Sequence, residues 1–77
     1  MPSAEIIAIG TELLLGETVD TNTAFITKTL NQIGIDIYRT IIVGDNSTRI
    51  TDQIRQSLGH ADIVIPTGGL GPTVDDP

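Results

Sequence analysis

Glu5 to Ile9 (EIIAI) is a short, continuous apolar run that stops at Gly10. Such a run suits a strand buried on both faces. The stretch GTELLLGETVDTN follows, with two glycines and several small polar residues, and reads as a structured loop in which Leu13, Leu14 and Leu15 serve packing. From about Thr21 to Ile33 the period lengthens. Ile26, Leu30 and Ile33 fall at i, i+4 and i+7, which predicts a helix capped by Asp20 or Thr21 and stopped at Gly34. Between Ile35 and Val43 the period drops to two. Ile35, Ile37, Ile41 and Val43 share one face, broken by Arg39, and Asp36, Tyr38 and Thr40 share the other. That alternation predicts a strand with one wet face, at a sheet edge. Gly44-Asp45-Asn46 is a turn. A second helix is expected from about Ser47 to Leu58, with Ile50, Ile54 and Leu58 as its stripe and Gly59 at its end. Asp62 to Pro66 (DIVIP) is a third strand.

The order β-α-β-α-β implies parallel strands joined by right-handed crossovers. A spatial order 1-2-3 would put both helices on one face and leave the other bare. The order 2-1-3 puts them on opposite faces, covers the all-apolar first strand on both sides and sends the alternating strand to the edge. The expected fold class is therefore α/β, with a parallel sheet whose order begins 2-1-3. The third strand would then have a bare outer edge despite its apolar sequence, a pairing hazard. The closing Asp76-Pro77 also has the form of a helix start. Residues 1–77 are accordingly expected to be the N-terminal part of one larger domain.

Composition narrows the function classes. There is no cysteine and a single histidine, His60, which leaves no thiolate or multi-histidine metal site. Ten acidic residues against four basic ones give a net charge of −6, and only Phe25 and Tyr38 are aromatic, so no nucleic-acid partner is expected. The N-terminus lacks a basic region, Glu5 and Glu12 interrupt its apolar run, and no apolar stretch approaches membrane-spanning length. The expectation is a cytoplasmic protein with no membrane partner.

In an open parallel sheet, ligands bind beyond the carboxyl ends of the strands where the order reverses. In 2-1-3 that point brings together GTELLLG, VGDN and TGGLGPTVDD. Glycines let several backbone N–H groups converge on an anion without a Cβ in the way, and Thr67 and Thr73 add hydroxyls. The alternative is a turn that needs glycine only sterically. No lysine follows in the manner of GxxxxGK[ST], and the loop is not GxGxxG. Asp45, Asp75 and Asp76 suit either metal ligation beside a phosphate or helix capping. Glu12 would join them from the first loop or remain an exposed loop acid. His60 is expected in an exposed turn. Arg39 and Arg49 are candidates for phosphate binding or plain surface residues.

The combination AEIIAIGTELLLGETVDTN, IIVGDN and DIVIPTGGLGPTVDD resembles the N-terminal domain of the CinA family, within the wider MoaB/Mog-like, molybdopterin-binding superfamily. The resemblance runs from Ala4 to Asp76. It implies a three-layer α/β/α fold. It also implies phosphate or pterin binding at Thr67, Gly68, Gly69, Gly71, Pro72 and Thr73; Gly10, Thr11 and Glu12 are expected to contribute from the first loop, which converges on the same point. Asp45, Asp75 and Asp76 become the catalytic and metal-holding acids, with Mg²⁺ or a similar divalent ion as cofactor. Leu70 stands where molybdopterin adenylyltransferases usually carry threonine, as TGGTG, which favours the CinA branch.

The expectation implied by this resemblance is a metal-dependent nucleotide pyrophosphatase domain acting on an ADP-ribose-type substrate. Activity is expected of the intact domain, which would form a homo-oligomer, rather than of the 77-residue chain alone. A non-catalytic pterin- or nucleotide-binding module rests on the same loops and needs no metal. A purely structural role, with the open third-strand edge as a contact surface, is the remaining alternative.

Overall fold

A computed structural model describes residues 2–68. Its elements are β1 (Ser3–Ile9), α1 (Thr11–Leu14), α2 (Thr21–Gln32), β2 (Asp36–Val43), α3 (Ser47–Leu58) and β3 (Ile63–Thr67). All three strands are parallel, in the order β2-β1-β3. Right-handed crossovers in that order place α2 and α3 on opposite faces of the sheet.

The core is built on β1. Ala4, Glu5, Ile6, Ile7, Ala8 and Ile9 are all buried, alternating between the two faces. Ile7 and Ile9 form a cluster with Val43, against which Ile41, Ile50, Ile54 and Val64 pack, so this is the face under α3. Each isoleucine buried in this way contributes about 2 kcal/mol. Ala4, Ile6 and Ala8 point to the other face, and their complete burial requires the second cover that α2 provides.

Both long helices start and stop as their sequences dictate. The Asp20 carboxylate accepts the Thr23 N–H at 3.0 Å and also the Thr23 hydroxyl. The α2 C-terminus closes through Ile35 N–H to Leu30 C=O at 3.0 Å, which requires the left-handed turn that Gly34 takes at φ +86°. At α3 the cap is Asn46, which accepts the Arg49 N–H at 3.0 Å.

Four expectations need correction. Thr11 to Leu14 form one helical turn rather than a loop, seeded by Leu13 and Leu14 N–H bonds to Gly10 C=O at 3.1 Å. Its leucines pack less than expected: Leu13 is half-buried, and Leu14 and Leu15 are exposed. Ile33 and Leu58 also leave their predicted stripes and face solvent, because Ile33 lies past the last turn of α2 and Ser57 takes the inward position on α3. Ser57 is fully buried and its hydroxyl accepts from Gln53 at 3.1 Å, so a small residue stands where the stripe called for a large one.

The fourth concerns β2. Ala4 pairs with Ile37, but Glu5 pairs with Arg39, so Tyr38 is an extra residue in the edge strand. The bulge moves Ile37 onto the Ala4 face and leaves Arg39, Ile41 and Val43 on the face of Glu5, Ile7 and Ile9. The alternation from Ile35 to Val43 is therefore not one uninterrupted stripe. The bulge sets Arg39 beside a fully buried carboxylate, with Arg39 Nε 3.2 Å from Glu5 Oε2. His60 lies against the same pair, its Nδ1 3.7 Å from Glu5 Oε2 and 3.3 Å from an Arg39 terminal nitrogen.

The Glu5–Arg39 pair is asymmetric, because Glu5 is sealed in and the Arg39 side chain is 42% exposed. Arg39→Met strands a buried carboxylate and is expected to lower unfolding stability by about 3 kcal/mol. Glu5→Met leaves an arginine that already reaches water and is expected to cost less than about 1 kcal/mol. Urea unfolding of the two variants checks this, and equal losses would contradict it.

Candidate functional site

The loops after the three strands meet at one end of the sheet, and two hydrogen bonds join the first two. Gly10 N–H donates to Val43 C=O at 2.9 Å, which continues the β1–β2 ladder by one step. Asp45 N–H donates to Thr11 Oγ1 at 3.1 Å. Packing draws the same loops close. A Cβ on Gly44 would sit 3.3 Å from Leu14 Cδ2 and 3.8 Å from Thr11 Oγ1. A Cβ on Gly10 would sit 3.1 Å from a Glu12 carboxylate oxygen, so Glu12 folds back over Gly10.

The third loop joins at Gly68. Its φ of +67° favours glycine, and a Cβ there would lie 3.0 Å from Ile9 C=O. At this position glycine has a steric reason, namely close approach to the carboxyl end of β1. That approach sets the third loop against the end of β1, one residue before Gly10. Gly69, Gly71, Pro72, Thr73, Asp75 and Asp76 lie outside the described residues.

Asp45 stood between a capping and a functional reading. The cap of α3 is Asn46, which leaves the Asp45 carboxylate free of that duty while its own N–H is bound to Thr11. Thr11 and Asp45 are thus joined directly, Glu12 folds over Gly10, and Thr67 and Gly68 reach the same end of the sheet, with the Asn46-capped N-terminus of α3 beside Asp45. Glu12 and Asp45 are hard oxygen donors of the kind that suit Mg²⁺. Among the described residues, no group of three or more His, Cys, Asp and Glu side chains is placed to hold a metal ion. A metal at this patch would need Asp75, Asp76, ligand oxygens or water to complete its shell.

A groove of about 300 Å³ opens beside the patch, with Leu14, Val43, Gly44, Arg49 and Asp52 among its lining residues. It places Arg49 beside the second loop. Arg39 goes elsewhere, to Glu5 near the amino end of β1, and takes no part in the site. Sequence reasoning placed the loops of Leu14 and Gly44 at this end of the sheet but missed the close contact between the two residues. A four-residue helix is too short to show a period. The close contact of Gly44 with α1 depends on the bulge-shifted register, which no local pattern displays.

Residues 5–77 match the family described as "Probable molybdopterin binding domain". A competence-damage inducible protein of Levilactobacillus brevis is 56% identical over 73 residues, covering 95% of this chain and 18% of that relative. One from Alkaliphilus oremlandii is 52% identical, with the same coverage. The crystal structure of the protein CinA from Thermoplasma acidophilum superposes with a TM-score of 0.87 at 40% identity, over 94% of this chain and 43% of that one. A molybdopterin biosynthesis protein from Mycobacterium abscessus shares the fold, with a TM-score of 0.84 at 20% identity over 94% of this chain and 46% of that one. The chain thus spans about a fifth of the curated relatives it matches and under half of the solved chains. On these grounds the chain belongs to the molybdopterin-binding domain family and, within it, resembles the CinA-type members.

Proposed function

We propose that this segment contributes the ligand-binding end of a domain that hydrolyses a nucleotide pyrophosphate, with ADP-ribose as the substrate type. One observation supports the reading: Asp45 N–H is bound to Thr11 Oγ1 and Gly68 stands against the Ile9 carbonyl, so three separate loops end at the carboxyl end of the sheet. Phosphate would bind against the first and third loops and meet the Thr11 and Thr67 hydroxyls and backbone N–H groups. Asp45 and Glu12 would hold Mg²⁺ together with Asp75 and Asp76. When bound, that ion would neutralise pyrophosphate charge and make phosphorus more electrophilic. The chain's own task is to fix the pyrophosphate and to orient attacking water through an Asp45 carboxylate uncommitted to helix capping. A cytoplasmic location and assembly into a homo-oligomer belong to the same reading.

A binding module without catalysis draws on the same loops and needs no metal. The two readings separate on one variant. In the full-length protein, Asp45→Asn is expected to lower Mg²⁺-dependent ADP-ribose hydrolysis by about a hundredfold, with folding retained. Unchanged hydrolysis would contradict the mechanism. Tight ADP-ribose binding that ignores chelator, with no turnover in the parent protein, would select the binding module instead.

A further inference from the structure

We infer that Thr11 is a positioning residue, a clip that sets where Asp45 stands, in addition to any contact it makes with ligand. The inference rests on the proposed function for its catalytic consequence, but not for the clip itself.

The β2–α3 connection is short and exposed, and only part of it is held by regular structure. Its first residue, Gly44, lies directly after β2, and its last, Asn46, is committed to capping α3. Asp45 sits between these anchors, and its backbone N–H points back across the sheet end to Thr11 Oγ1 at 3.1 Å. Thr11 is itself well placed. It opens α1, and its C=O accepts the Leu15 N–H at 3.0 Å. Gly10 before it is pinned to Val43 C=O at 2.9 Å, and Leu14 packs close to Gly44. The clip therefore joins two segments that are each tethered on either side. It holds the Asp45 backbone, and so the origin of its side chain, against the first loop.

The chemistry of a hydroxyl makes the residue type meaningful. When Oγ1 accepts the Asp45 N–H, its own proton remains to be donated. Threonine or serine can accept from Asp45 and still donate to an anionic ligand oxygen. Valine, with the same shape, can do neither.

The test compares Thr11→Val with Thr11→Ser by amide hydrogen exchange at Asp45, in the folded protein with no ligand present. Loss of one exposed hydrogen bond is expected to speed Asp45 exchange about tenfold in the valine variant, with the serine variant within about twofold of the parent. Exchange at Ile6 and Ile7, in the middle of β1, is expected to stay unchanged, which separates loss of the clip from general loosening. In ADP-ribose turnover, the valine variant is expected to lose kcat and, through its lost ligand contact, to raise KM, and serine is expected to restore both. Equal Asp45 exchange in the parent and valine variants would overturn the clip. Faster exchange with undiminished kcat would overturn its positioning role. If the parent shows no turnover, the pyrophosphatase reading fails by itself, and the ligand-free exchange still decides the clip.

Discussion

A parallel strand without a polar face has to be covered on both sides, and β1 is that strand. Its residues Ala4 to Ile9 are buried in turn under α3 and under α2. This requirement sends β2 and β3 to its two sides and the two long helices to opposite faces. It also makes the carboxyl end of β1 the place where three loops must meet. The candidate site is thus a consequence of burial: Gly10 follows Ile9 because the strand ends there, and Val43 and Gly68 lie beside it because their strands flank it.

The bulge at Tyr38 ties the two ends of the sheet together. At the amino end it sets Arg39 opposite Glu5, where a guanidinium answers a buried carboxylate. At the carboxyl end the same extra residue sets Val43 opposite Ile9. Without it, Ile42 would take that place and Asp45 would extend about 3 Å further along the strand direction, away from Thr11. A one-residue slip would also turn the faces of β2 over, bringing Ile42 rather than Val43 under α3. The ion pair is one device that opposes such a slip, because this register sets Arg39 against Glu5.

The order of elements and the 2-1-3 sheet were legible because EIIAI has no polar face beyond its first residue, while the Ile35–Val43 segment alternates. The bounds of α3 were readable from the Gly44-Asp45-Asn46 turn and Gly59, which flank a clear apolar period. Other features were hidden for identifiable reasons. Glu5 looked like an interruption, since nothing local announces that an arginine 34 positions later will meet it. The apolar content of Leu14, Ile33 and Leu58 suggested burial, but each sits where the helix direction has already turned it outward. At the site, residue types alone left Asp45 between cap and ligand. Only the observed use of Asn46 as the cap separates the two.

The central claim is that ligand binds at the carboxyl end of the sheet, across the first, second and third loops. The most direct measurement is a two-dimensional amide NMR titration with ADP-ribose and Mg²⁺. The account predicts shifts at Gly10 to Glu12, at Gly44 and Asp45, and at Thr67 and Gly68, while Glu5, Arg39 and His60 at the other end stay in place. Shifts that fall on the Glu5 end, or a ligand bound with those three loops unmoved, would contradict it.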